Sequence, residues 1–303
     1  FIHAGPFANI AHGNSSIIAD RLALSIHDIV VTEAGFGADL GAEKALHIKT
    51  NASGLAPDCI VVNVTVRSMK MHGLGMVGLP NGKDALDEEN VEMVRHGASA
   101  NLSRHIENMS RFGPDVIVSI NRFPTDSEAE ISAIMEIAKD AGAADVALYE
   151  GHSKGGDGAV ELANAVSKAV QRHMAAGRPF NPLFEGNAPV IEKIENIAKS
   201  MYGASGISVK PRAKKQLDKI NEWGYGNLPV CMAKTQYSFS HDPAQYGAPK
   251  GFTLPVREFR LNAGAGFIVA VCGDMMTMPG LPKIPAAEGM DMDKDGNLTG
   301  IFS

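Results

Sequence analysis

The chain has 303 residues, 45% of them hydrophobic and 20% charged, the balance of a globular protein with room for two or three domains. A net charge of −6, with no basic run beyond Arg212-Ala213-Lys214-Lys215, excludes the electrostatic footprint of a nucleic-acid partner. The three cysteines, Cys59, Cys231 and Cys272, are too scattered for a disulfide framework or a C-x-x-C metal pair. Apolar runs such as 266–272 fall well short of the roughly 18 residues of a membrane span. With no basic-then-apolar leader, the cytoplasm is the expected compartment. The opening at Phe1 reads as the tail of a strand and predicts further sequence upstream.

Taken in chain order, residues 28–33, 59–66, 115–120, 145–150 and 228–233 read as strands, mostly apolar throughout, as in sheets covered on both faces. Helical spacing joins Ile131, Ile134, Ala138 and Ala141, then Leu162, Val166, Ala169 and Val170, then Val190, Ile194, Ile197 and Met201. The alternation gives an α/β fold class. Ser127 with Glu130 reads as a capping box, Pro189 as a first helical position and Gly203 as a C-terminal cap. The Gly113-Pro114 step and the Gly203–Gly206 segment read as boundaries, dividing the chain into residues 1–112, 113–205 and 206–303.

The first candidate site follows the strand at 28–33. Glu33-Ala34-Gly35-Phe36-Gly37-Ala38-Asp39 is a glycine-rich turn leading into a helix, a shape that aims backbone N–H groups at an anion. Equally, the glycines could serve only a tight turn and Asp39 only cap the helix. His12-Gly13-Asn14-Ser15-Ser16 is a second loop opening a helix.

Two motifs are set aside. Gly73-Leu74-Gly75-Met76-Val77-Gly78 matches a dinucleotide fingerprint by letter, but the breaker Leu79-Pro80-Asn81-Gly82 follows, and the expectation is a mobile loop. Asp291 to Gly296 copies half an EF-hand loop, but its twelfth position is Phe302, so a solvated turn is expected. His12, His72, His96 and His105 show no metal-ligand spacing, and no metal site is assigned.

The second candidate site lies in residues 115–173. If the two strands there are parallel, their carboxyl ends share an edge, where open α/β sheets bind ligands. The loops at that edge carry Arg122 and Phe123, then His152 and Lys154, a ring beside a cation in each. Two facing rings could sandwich a planar heterocycle; Phe123 could equally plug the core, with Lys154 in solvent. Lys234 follows the next strand, where a cation could meet an anionic ligand or could be salt-bridged scaffold.

Several long strings resemble one family: HAGPFANIAHGNSS from His3, EAGFGADLGAEK from Glu33, VRSMKMHG from Val66, INRFPTD from Ile120, PVCMAKTQYSFS from Pro229 and MTMPGLPKIPAAE from Met276. They resemble formate–tetrahydrofolate ligase, also called 10-formyltetrahydrofolate synthetase. The resemblance implies ATP-dependent joining of formate to tetrahydrofolate: formate attacks the γ-phosphate, and the formyl phosphate passes its formyl group to the folate amine. It implies ATP with Mg²⁺ as cofactor, leaves a monovalent cation open, and implies a homotetramer.

The family's G-x-x-x-x-G-K-T loop is absent from the 303 residues, so the chain resembles the C-terminal half of the enzyme. On that reading it comprises a remnant of a P-loop NTPase-like nucleotide domain and two smaller α/β domains. Gly35, Gly37 and the His12 loop would flank a phosphate site whose lysine lies elsewhere, with Glu33, Asp39 and His12 as catalytic candidates. Phe123 matches a pterin-stacking phenylalanine of the family. His152 stands where the family has tryptophan in W-A-K-G-G, and predicts altered folate binding. A non-catalytic folate or nucleotide binding module is the competing reading.

Overall fold

Three parallel strands bring the second candidate site into being. In the computed structural model, which describes Ala8 and residues 10–77, 86–275, 283–294, 296 and 298–300, β1 (Cys59–Val64), β2 (Asp115–Asn121) and β3 (Asp145–Tyr149) lie side by side in that order. The register runs from Cys59↔Asp115 to Val64↔Ile120, and from Ile117↔Asp145 to Asn121↔Tyr149. Successive side chains on a strand point to opposite faces. Val116, Val118 and Ile120 therefore join one core cluster, with Ile131 and Ile134 of helix 128–140, while Ile117 and Ala147 pack on Ala165 and Ala169 of helix 160–176. Cover on both faces is why these strands read as continuous apolar runs. The expected boundary at 112/113 falls between β1 and β2, which pair along the whole of β1.

Before β1 come α1 (Ile17–Leu24), α2 (Gly41–Lys44) and α3 (Thr50–Ser53), the last two joined by a π-helical turn, Ala45–Lys49. Between β1 and β2 lie α4 (Val66–Val77), α5 (Val91–Gly97) and α6 (Ser103–Ser110), with a second π-helical segment, Ala98–Leu102, joining α5 to α6. Both wide turns carry polar side chains inward: His47 in the first, and in the second Asn101, whose amide donates to Gly247 O at 3.2 Å. The fingerprint-like Gly73 to Val77 is the end of α4 rather than the expected loop, and Gly78 lies outside the described residues. Its Gly73 has a packing role. A Cβ on Gly73 would sit 2.1 Å from Met93 O, and one on Gly97 1.8 Å from Met69 O, so the two glycines let α4 and α5 approach backbone to backbone.

After β2, α7 (Glu128–Asp140) starts on the expected capping box: Ser127 accepts from Glu130 N, and Glu130 accepts from Ser127 N. Beyond β3, α8 (Gly151–Lys154) turns the segment expected as a loop into one helical turn, which leads into α9 (Val160–Ala176). Then α10 (Val190–Ile197) runs into a third π-helical turn, Ala198–Tyr202, ending at Gly203 with φ 82 as expected. Pro189 sits one place earlier than expected, as N-cap.

The second sheet has the order β4 (Gly206–Val209), β6 (Thr253–Asn262), β7 (Phe267–Cys272) and β5 (Val230–Ala233), with α11 (Pro211–Glu222) between β4 and β5. Its outer pairs are parallel and the central β6–β7 pair antiparallel. The main core cluster is continuous from one sheet to the other, through Ile194, Met201 and Tyr202 to Met232, Val256 and Ile268. A short exposed hairpin, β8 (Asp291–Met292) with β9 (Leu298–Thr299), carries the EF-hand-like stretch.

Residues 28–33 do not form the expected strand. Among the described residues the only pairing there is an isolated bridge, Asn14↔Ala34, and Val31 is 84% exposed. β-branched residues make a strand only where a neighbour takes their backbone N–H and C=O groups, and at 28–33 the described chain offers none. Ile18, Leu22, Ile26 and Ile29 are likewise exposed, leaving an apolar face on and after α1.

Glu130 ties the elements around β2 together. It is fully buried, pairs with Lys70 at 2.8 Å, and accepts from Asn90 N at 2.7 Å and Ser127 N at 3.1 Å. Although burial acts to raise its pKa, these donors hold the carboxyl below its ordinary value. Glu130→Gln, which leaves the Lys70 ammonium buried without its charge partner, is expected to cost about 3–5 kcal/mol in denaturant unfolding of the intact protein. The Glu130 contribution is full above the unfolded pKa near ~4.3 and fades as pH falls through the lower folded value.

Candidate functional site

The parallel register delivers what the sequence implied: β2 and β3 end on the same edge, with Arg122 N donating to Tyr149 O at 3.0 Å just past the last ladder pair. Phe123 and His152 both emerge there with exposed side chains, and the alternative of a Phe123 buried as a core plug does not hold at 47% exposure. A tight turn sets the Phe123 backbone, because Asp126 accepts from Phe123 N at 2.8 Å before α7 begins. The two cations are not free. Arg122 bonds Glu128 at 2.6 Å and faces Glu150 at 3.9 Å, while Lys154 bonds Glu150 at 2.6 Å. Glu150 thus links the two loops, and the nearby cations, Lys154 first, lower its pKa. Sequence reading missed Glu150, although its position before a Gly-His-Ser-Lys turn, four residues from Lys154, was a visible i,i+4 signal.

The first candidate site forms from two loops tied backbone to backbone. Gly35 N donates to Gly13 O at 3.1 Å, beside the Asn14↔Ala34 bridge, so the His12 loop and the Glu33 turn are brought together as expected. Gly35 therefore spends its own N–H inside the protein. Ser16 N-caps α1, accepting from Ala19 N at 3.1 Å. Asn14 is 4% exposed, and among the described residues neither its amide nitrogen nor its oxygen has a hydrogen-bond partner. Glu33 is exposed on the rim. His12 packs edge-on against Phe267; burial, and then Lys49 and Lys44, lower its pKa.

Asp39 and Lys234 form one unit: the ammonium lies 2.5 Å from Asp39 Oδ2, donates also to the carbonyls of Thr235 and Ser238, and stands 4.9 Å over the Tyr202 ring. Lys234 is fully buried and its three N–H donors are spent, which leaves none for a ligand and supports the salt-bridged-scaffold alternative. Sequence reading treated the two residues separately because nothing local links positions 195 apart. Beneath them, His105 packs on Phe239, and burial lowers its pKa. Among the described residues no hydrogen bond or ion pair joins this cluster to the one at the β2–β3 edge, and no group of three His, Cys, Asp or Glu side chains could hold a metal. Burial pushes the Cys231 thiol to about 11 and Cys272 to about 12, so neither offers a thiolate near neutral pH.

His72 accepts from Gly247 N at 3.3 Å through Nδ1, a bond that requires a neutral ring. Burial, and then His105, push its pKa down to about 4, against the pull of Asp39. Its contribution is complete above the unfolded value of ~6.5 and lost as pH falls toward the folded one. The unfolding midpoint of the intact protein is expected to fall between pH ~6.5 and about 4, and His72→Gln to flatten that slope.

With that geometry in place, the chain compares as follows. A family model described as formate–tetrahydrofolate ligase matches residues 1–302. Curated proteins of that name from Ruegeria sp. (strain TM1040) and Maricaulis maris (strain MCS10) are each 51% identical over 302 residues, and one from Symbiobacterium thermophilum is 49% identical over 303. Each match covers 100% of this chain and 52% of the relative, so the chain spans about half the length of the curated relatives it matches.

Proposed function

The chain belongs to the formate–tetrahydrofolate ligase family, and on that premise we propose that it is the C-terminal portion of an enzyme that joins formate to tetrahydrofolate with ATP. The observation that carries this reading is the shared edge of β2 and β3, where Phe123 and His152 stand exposed on adjacent loops linked through Glu150. Phe123 and His152 flank the pterin, a flat ring system suited to stacking at about 0.5–1.5 kcal/mol per aromatic pair beyond area burial. Arg122 and Lys154, balanced by Glu128 and Glu150, orient those loops and meet the polar rim of the folate.

The Gly35–Gly37 turn and the His12 loop form one flank of the ATP phosphate site. Lys44 and Lys234 are both fully buried, Lys44 donating to Ala8 O, so the cation that neutralises the phosphates comes from the remaining family length. In the reaction, a formate oxygen attacks the γ-phosphorus as ADP leaves. The folate amine then attacks the formyl carbon, phosphate leaves, and the amine gives up its N–H proton to water. This half of the protein contributes positioning, which is most of what phosphoryl transfer asks of a protein. Glu33 at the rim is its candidate for orienting Mg²⁺ through water. Two further features fit a larger whole: the stretch at 28–33, unpaired among the described residues, and the apolar face on α1 are what a neighbouring strand and helix would cover. A cytoplasmic homotetramer with a P-loop-type nucleotide domain and two smaller α/β domains belongs to the same proposal.

Calorimetry on the full-length enzyme tests it. Phe123→Ala is expected to weaken tetrahydrofolate about tenfold, or about 1.4 kcal/mol, while leaving MgATP affinity unchanged. His152→Trp, which restores a larger stacking surface, is expected to tighten folate. Equal folate affinity across all three proteins would refute stacking at this edge.

A further inference from the structure

Phe36 is the only non-glycine among the described residues with a positive φ, at 65°, and its ring is 51% exposed. A bulky side chain in the left-handed region is strained, and such strain persists only where the surroundings impose it. Leu40 N and Gly41 N both donate to Gly37 O, at 3.0 and 2.9 Å, winding the chain tightly behind Phe36. A Cβ on Gly41 would meet Gly35 O at 1.8 Å, so the start of α2 lies against the front of the same turn. A Cβ on Gly37 would meet Asp39 Oδ1 at 2.7 Å, which places the Asp39 carboxylate inside the turn as its filler.

That carboxylate is itself pinned from the other sheet. Its second oxygen takes the Lys234 ammonium at 2.5 Å, and Lys234 is anchored at the end of β5 by the Thr235 and Ser238 carbonyls and by the Tyr202 ring. A buried ion pair is a poor source of net stability, because desolvating the two charges offsets most of their attraction. Geometric specification is what it can supply.

We propose that Lys234 is a positioning residue: through Asp39 it holds the Gly35–Gly37 turn in the strained form that presents the Phe36 ring to a flat conjugated ring of the ligand. This rests on the functional reading above. Pterin and adenine are both such rings, and the two arms of the experiment separate them.

In the full-length enzyme, dissociation constants for tetrahydrofolate and for MgATP are measured in the parent, Phe36→Ala, Lys234→Met and the double variant. Phe36→Ala and Lys234→Met are each expected to weaken the same ligand, by about tenfold, and the double variant to bind no worse than Phe36→Ala alone, since both changes act on one ring. Losses that multiply in the double variant, or a Lys234→Met enzyme with both affinities intact, would overturn the proposal. So would a Phe36→Ala enzyme with parental affinities. Because Lys234→Met alone leaves Asp39 buried without its partner, Asp39→Asn with Lys234→Met provides a neutral pair. If that folded variant binds both ligands as the parent does, the ion pair has no positioning role. A scaffold role alone would lower the melting temperature while leaving both affinities of the folded protein unchanged. A parent enzyme that binds neither ligand overturns the functional reading itself, and this proposal with it.

Discussion

A single buried carboxylate organises the edge that carries Phe123 and His152. Glu130 receives the Lys70 ammonium, the N–H that starts α5 at Asn90 and the N–H of its own helix cap at Ser127. Lys70 in turn holds the carbonyls of Leu86 and Glu88. One side chain therefore fixes α4, the approach to α5 and the start of α7 together. The loop bearing Phe123 is only the short span left between the end of β2 and that fixed point. Its freedom is limited further by the Asp126 acceptor on Phe123 N, so a ring that is exposed in area is nevertheless constrained in direction.

Fully or nearly fully buried lysines recur as clamps. Lys193 donates to the carbonyls of Gly186, Asn227 and Leu228, and burial lowers its pKa. Lys234 binds Asp39 and two carbonyls, and Lys44 reaches the carbonyl of Ala8. An ammonium on a long stem can cross from one element to another and satisfy several loop acceptors at once, which apolar packing cannot do for irregular backbone. The cost of burying the charge is the reason Lys193 and Lys234 each take three acceptors.

Much of the fold was legible. Strands β1, β2, β3 and β5 announced themselves as apolar runs, and β7 coincides with the longest of them. The capping box at Ser127 and Glu130 was readable because both partners lie within one turn. β6 was not, since Pro255 and the charged residues Arg257, Glu258 and Arg260 interrupt it, and only the sheet on either side makes it a strand. Residues 28–33 failed in the opposite sense: strand-like by composition, they lack a ladder among the described residues. Gly73 to Val77 reads as a loop because the breaker Leu79-Pro80-Asn81-Gly82 follows it in sequence, whereas α4 continues to Val77 and Gly73 lets two helices touch.

By itself the sequence determined the local chemistry: which residues cap, which runs are apolar enough for covered strands, and which loops carry rings, cations and glycines. Those properties depend on neighbours within a few positions, where bonding is set by chain geometry. Tertiary structure alone decided which of these local pieces meet. It placed Phe123 and His152 on one edge, gave Glu150 to both loops, and joined Asp39 to Lys234 across 195 positions. It also turned Lys234, an apparently available cation, into a spent one. The physical reason is that a charge's role follows from its partners and its distance from water, and both are properties of the folded chain.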